Sequence, residues 1–134
     1  MNYIVLLSHG RLASGMKSTV ELIAGANERL VAYDAYVDGH DDIRPFLDSF
    51  IKEHPEDEII AVTDVLGGSV NNDALTYNHL PQVHIVTGMN APLVLNLVLK
   101  MDLDLEPMLG ECISESREMI AFCEKERTEE DEDF

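Results

Sequence analysis

A histidine and an aspartate sit at matching places in two separate stretches of the chain, and together they could make a nucleophilic site. The first stretch is Leu6-Leu7-Ser8-His9-Gly10, where an apolar run stops at a Ser-His-Gly corner. The second is Thr63-Asp64-Val65-Leu66-Gly67-Gly68-Ser69, which sets a carboxylate and two glycines at an equivalent corner. A neutral imidazole attacks phosphorus when one ring nitrogen carries the proton and the other keeps its lone pair. A carboxylate accepting from the protonated nitrogen fixes that tautomer and supports positive charge on the ring. Asp64 is the candidate for this role toward His9, the candidate phosphoryl acceptor. Gly67, Gly68 and Ser69 offer backbone amides, a hydroxyl and a helix start to incoming phosphoryl oxygens. Ser8, Gly10 and Arg11 are further candidates for contact with phosphate or a partner.

Each signal is weak alone. A histidine at a strand end is more often a cap or a surface residue, and an aspartate there commonly forms a turn. Gly-Gly-Ser is neither a P-loop with its lysine nor a spaced dinucleotide fingerprint. The coincidence of both corners raises the reading. His40, His54, His79 and His84 are scattered without ligand spacing, so neither a metal nor a cofactor is expected.

These corners need strands and helices to hold them. Residues 3–7 read as a strand without polar alternation, which suits a strand covered on both faces. Leu12, Met16, Thr19, Val20 and Ile23 recur at helical spacing, and Gly25 is a natural stop. Residues 30–37 read as a second strand, followed by an Asp38-Gly39 turn. Asp41 or Asp42 can cap the next helix, whose stripe is Ile43, Phe46, Leu47, Phe50 and Ile51, with Pro45 tolerable in its first turn. Residues 58–63 and 83–87 read as the third and fourth strands, with a helix over about 70–78 between them. Residues 93–101 are apolar on nearly every helix face, so this helix should be heavily buried, a second subunit being one possible cover. Pro107 opens a last helix, with Leu109, Cys112, Ile113, Ser116, Met119, Ile120 and Cys123 along one side.

Four β-then-α units in succession imply an α/β fold: a doubly wound, mainly parallel, four-stranded open sheet with helices on both faces. If strand one lies between strands two and three, His9 and Asp64 face each other across the switch point of the sheet.

The 134 residues suit a single domain, over residues 1–123, with 124–134 an acidic tail. Nine basic against 26 acidic residues give a formal charge of -17, which makes nucleic acid and anionic membrane poor partners and a basic protein surface a better one. No apolar run approaches the ~18 residues of a membrane span, and the start lacks the basic residues and cleavage site of a signal peptide. Cys112 and Cys123 read as small apolar residues of one helix in a reducing compartment. A cytoplasmic protein is expected.

The chain resembles the enzyme IIA component of the mannose-family sugar phosphotransferase system. The likeness rests on Ile4-Val5-Leu6-Leu7-Ser8-His9-Gly10, on Thr63-Asp64-Val65-Leu66-Gly67-Gly68-Ser69, and on Val86-Thr87-Gly88-Met89-Asn90-Ala91-Pro92-Leu93. The motifs keep the family's order and spacing, and the resemblance runs to about Glu124. It implies a phosphohistidine relay: His9 receives a phosphoryl group from the phosphocarrier HPr and hands it to a histidine of a separate EIIB (the IIB component). Sugar then crosses the membrane through IIC and IID proteins. It further implies that Asp64 is the hydrogen-bond partner of His9 and that the chain is a homodimer. One departure stands out, since the family often continues Gly-Gly-Ser with Pro-Phe-Asn-Ala and this chain has Val70-Asn71-Asn72-Asp73, a change expected to bear on the partner-facing rim. The phosphotransferase subunit of dihydroxyacetone kinase ranks second, because it lacks the Asp-x-x-Gly-Gly-Ser pattern. A receiver-type signalling module needs a pair of acids after the first strand to hold magnesium, and Leu7-Ser8-His9 supplies none. A pure binding module without chemistry remains an alternative.

Overall fold

The computed structural model describes residues 1–39 and 42–124. Asp41, one of the two candidate caps, His40, and the expected acidic tail beyond Glu124 lie outside the described residues. Four strands, β1 (Asn2–His9), β2 (Leu30–Ala35), β3 (Glu58–Thr63) and β4 (Val83–Thr87), form one parallel sheet in the order β2-β1-β3-β4. The helices are α1 (Leu12–Ala24), α2 (Arg44–Glu53), α3 (Ser69–Leu75), α4 (Ala91–Leu99) and α5 (Leu105–Glu118). β1 therefore lies between β2 and β3, the arrangement that opens a crevice beyond the carboxyl ends of β1 and β3.

The apolar strands are buried on both sides because the helices divide between the faces. On one face Ile4, Leu6, Leu30, Ile60 and Val62 pack under α1, α4 and α5 through Ala13, Val20, Leu93, Leu97, Met108 and Cys112. On the other, Val5, Leu7, Ile59 and Ala61 meet α2 and α3 through Ile43, Leu47, Phe50, Val70 and Ala74. The apolar α4 is explained by this packing: Leu93, Val94 and Leu97 are in the core, Leu95 and Val98 are partly covered, and Leu99 remains exposed.

Four elements end earlier than their sequence patterns suggest. Among them, α4 runs over Ala91–Leu99 rather than residues 93–101 because Asn90 caps its start by accepting from the Leu93 amide. β2 stops at Ala35 because Tyr36 turns to φ +62°, ahead of Asp38 at +52° and Gly39 at +82°. α3 ends at Leu75, where Tyr77 and Asn78 donate to Ala74 and Leu75 in tighter i→i+3 bonds and the Thr76 hydroxyl bonds the Asp73 carbonyl. α5 ends at Glu118, so Cys123 is outside it and Met119 and Ile120 are exposed. The helix closes in tighter bonds, with the Met119 amide donating to the Ser116 carbonyl and the Ser116 hydroxyl to that of Ile113. Pro107 falls at the third position of α5, within the first turn. The N-cap of α2 is Ile43, which makes no side-chain cap bond, and Asp42 one residue earlier accepts from the Arg44 amide at 2.9 Å.

Candidate active site

The sheet register delivers the site. Leu7 is the partner of Thr63, so β1 and β3 run side by side to the carboxyl edge, with Asp64 one residue and His9 two residues beyond that pair. On the other side Ser8 pairs with Asp34. The Ser8 hydroxyl is fully buried, accepts from the Ala13 amide at 2.7 Å and donates to the Gly10 carbonyl at 3.2 Å. Asp34 accepts from the Ser14 amide at 2.9 Å and from its hydroxyl at 2.6 Å. Two strand-end side chains thus satisfy first-turn amides of α1, whose own N-cap, Arg11, makes no side-chain cap bond. This corrects the reading of Ser8 as a phosphate or partner contact, since its oxygen faces inward. Gly10 turns at φ +59° and donates its amide to Ala35 at 2.9 Å, so its contribution is the corner itself. Arg11 pairs with Asp38 at 3.3 Å, both of them well exposed beside the site.

Asp64 holds His9 twice. Its Oδ2 accepts from the His9 backbone amide and from ring Nδ1, each at 2.9 Å, while Oδ1 accepts from the Val65 amide at 3.0 Å. The aspartate side chain is only 6% exposed against 43% for the histidine, so the ring is anchored inside and open outside. Burial alone would raise the Asp64 carboxyl, but the His9 amide, the His9 ring and the Val65 amide together hold it below the ordinary carboxylate range. An ionised carboxylate only accepts, so Nδ1 carries a proton, and in the neutral ring Nε2 keeps its lone pair. Ser69 Oγ lies 2.9 Å from Nε2 and donates to it when the ring is neutral. The Tyr36 hydroxyl, 3.2 Å from Ser69 Oγ, is then the donor in that pair. Every bond in the series Tyr36–Ser69–His9–Asp64 has one consistent direction.

The glycines act by shape more than by their amides. Gly67 donates to Asn71 Oδ1 at 3.2 Å and Gly68 to the Val65 carbonyl at 3.1 Å, so both are engaged within the loop. That corrects the expectation of a cradle built from these two amides. The amides of Ser69, Val70 and Asn71 at the start of α3 have no acceptor among the described residues. Gly67 adopts φ +81°, and a Cβ on Gly68 would meet the Val65 carbonyl oxygen at 3.3 Å and His9 Cε1 at 3.4 Å. Gly68→Ala is therefore expected to push the Val65 carbonyl, in the loop that carries Asp64, by a few tenths of an ångström while bringing a methyl against the imidazole, and to slow the phosphoryl uptake expected at His9 about tenfold. The fold should persist, and paired rate and melting measurements will check both parts.

Sequence reasoning missed three contributors. Tyr36 stacks on the His9 ring at a centroid distance of 5.5 Å and an interplanar angle of 26°. Asn71, 1% exposed, spans the Gly67 amide and the Thr63 hydroxyl, which in turn donates to Thr87 at 2.8 Å. Asp34 caps α1 across strands. Only the Asp38-Gly39 turn signalled that the chain would bend near Tyr36. The departure at Val70-Asn71 also proves to be internal: both residues are buried, so the absence of an aromatic there alters the inside of the loop, whereas Asn72 is exposed and bonds the Gly67 carbonyl at 3.1 Å.

Fold and site define an open α/β protein with a tautomer-fixed histidine at its switch point. The chain belongs to the mannose-type enzyme IIA family, the IIA components of the mannose/sorbose phosphotransferase system, which work in sugar phosphotransfer. The sequence model of that family, EIIA-man, described as the PTS system fructose IIA component, matches residues 3–127. A sorbose-specific EIIA component of the PTS from Klebsiella pneumoniae is 32% identical over 102 residues, covering 73% of each chain. A Klebsiella pneumoniae structure assigned provisionally to a phosphoenolpyruvate-dependent sugar phosphotransferase system permease superposes with TM-score 0.84 at 31% identity, over 91% of this chain and 90% of that one. The PTS IIA protein associated with the fucose utilization operon of Streptococcus pneumoniae gives 0.75 at 31% identity, over 90% and 92%. No helix among the described residues is long and apolar enough to cross a membrane.

Proposed function

We propose that the chain is a phosphocarrier that accepts a phosphoryl group on His9 from phosphorylated HPr and passes it to a histidine of a separate EIIB. The observation that carries this reading is the position of the His9 ring between Asp64 Oδ2 and Ser69 Oγ, each 2.9 Å from one ring nitrogen, with the ionised Asp64 favouring the neutral tautomer protonated on Nδ1. In the first half-reaction the Nε2 lone pair forms a bond to phosphorus. The bond from phosphorus to the donor's ring nitrogen breaks, and its electron pair stays on the donor imidazole. His9 keeps its Nδ1 proton throughout, and the positive charge on its ring lies against the ionised Asp64. The Ser69 hydroxyl, displaced from Nε2, turns its proton to a phosphoryl oxygen, and the free amides at the start of α3 are available to the others. The second half-reaction is the same exchange in reverse, with the EIIB imidazole attacking phosphorus.

Both partners reach the site over exposed Val65 and Leu66, which belong to the same loop as Asp64. The strong acidity of the chain favours basic partner surfaces. In this reading the protein is a cytoplasmic homodimer, needs no cofactor, and serves membrane IIC and IID proteins only through EIIB.

The test is to incubate the protein with phosphoenolpyruvate, enzyme I and HPr. A phosphate that is acid-labile and base-stable, and that leaves on addition of EIIB, is the expected result. Incorporation that resists acid, or none at all, would sink the proposal.

A further inference from the structure

Tyr36 is the one bulky residue of the site that adopts a conformation its side chain disfavours. Its φ of +62° lies in the left-handed region, where a large residue is an outlier. Such outliers persist only where the surroundings hold them, and they gather at functional sites. Here the surroundings are visible. The preceding residue, Ala35, is the last of β2, and its carbonyl is fixed by the Gly10 amide at 2.9 Å. A strand continuing through residue 36 would carry the side chain away along the sheet. The left-handed turn instead folds the ring back over His9, with a 26° interplanar angle, and brings its hydroxyl 3.2 Å from Ser69 Oγ.

We infer that Tyr36 is a positioning residue for phosphoryl transfer: its hydroxyl aims the Ser69 proton at His9 Nε2, and its ring covers one face of the imidazole. A serine hydroxyl rotates freely unless a donor occupies its lone pairs. With Tyr36 donating, the Ser69 proton has one good acceptor, the Nε2 lone pair, until a phosphoryl group arrives and takes it over. The same ring, half exposed, stands between solvent and one face of the phosphohistidine. The inference rests on the phosphocarrier reading for its consequence, but its geometry concerns the unphosphorylated protein.

Tyr36→Phe removes the hydroxyl and keeps the ring. Tyr36→Gly removes both and relieves the backbone, because glycine enters the left-handed region without penalty. The two variants therefore separate positioning from fold support. The experiment records the ¹⁵N resonances of the His9 ring in the unphosphorylated wild type and both variants, together with melting temperature and the rate of phosphorylation by phospho-HPr. In both variants the Nε2 resonance is expected to move toward the position of an unbonded ring nitrogen while Nδ1 stays protonated. Phosphorylation should slow about three- to tenfold in Tyr36→Phe, the weight of one lost hydrogen bond, with the KM for phospho-HPr little changed. Tyr36→Gly should melt no lower than wild type, yet its phosphohistidine should hydrolyse faster than that of Tyr36→Phe. An unchanged Nε2 resonance in Tyr36→Phe overturns the inference, whatever the rates do. If no protein, wild type included, takes up phosphate, the carrier reading fails and the resonances still decide the role of Tyr36.

Discussion

His9→Gln is expected to take up no phosphoryl group from phospho-HPr, while its stability stays within about 1 kcal/mol of wild type. The histidine side chain is partly exposed and contributes little to either core, so the fold does not depend on it. Glutamine can still donate to Asp64 but has no nucleophilic ring nitrogen. Among the described residues, the remaining histidines, His54, His79 and His84, are not placed to replace it. His54 is engaged with Asp57, His84 with Glu58, and His79 with the Thr76 carbonyl, and none of the three is at the carboxyl edge of β1 and β3. Urea melts and phosphate incorporation on the same preparation measure both halves of the prediction. Labelling that survives in His9→Gln would place the acceptor elsewhere.

Asp64→Asn is expected to reduce phosphorylation of His9 by roughly 100-fold or more. An amide can present its NH2 to Nδ1, which favours the tautomer with the proton on Nε2 and so blocks the lone pair. The same substitution behind a serine protease histidine lowers kcat by about 10⁴ for this reason. The position here is comparable in kind, since one carboxylate oxygen fixes both the ring and the backbone of His9. A pH signature should accompany the loss. Because the folded-state pKa of Asp64 is lowered, its ionisation stabilises the protein at pH values above the unfolded value of about 3.8, and that contribution is lost as pH falls through the lower folded value. The stability deficit of Asp64→Asn should therefore be largest near neutrality and shrink below about pH 4. Melting temperatures across pH 2.5 to 7 will show whether the two curves converge.

The framework of this site could be read before any coordinates. The third and fourth strands stand at residues 58–63 and 83–87 as their apolar runs indicate, bounded by Glu58 and the Leu80-Pro81 turn on one side and by polar corners on the other. The pairing of His9 with Asp64 followed from topology, because a central β1 leaves only one crevice at the carboxyl edge. What escaped the sequence was decided by local geometry. Nothing in the residue type warns that Tyr36 will take a left-handed turn, so β2 looked longer than it is and the residue looked like ordinary strand. Ser8 had the composition of a ligand-binding residue, but its hydroxyl sits one pleat inward and caps α1 instead. Gly67 and Gly68 resemble a cradle of free amides, whereas Asn71, read as a change at the rim, turns inward and engages one of them. The misread positions cluster around His9, where side chains serve geometry more than propensity.

The most direct test of the account is NMR of the phosphorylated protein with ¹⁵N-labelled histidine. One-bond coupling between phosphorus and Nε2 of His9 is expected, with Nδ1 still protonated and hydrogen-bonded to Asp64. Phosphorus on Nδ1, or on any histidine other than His9, would contradict it.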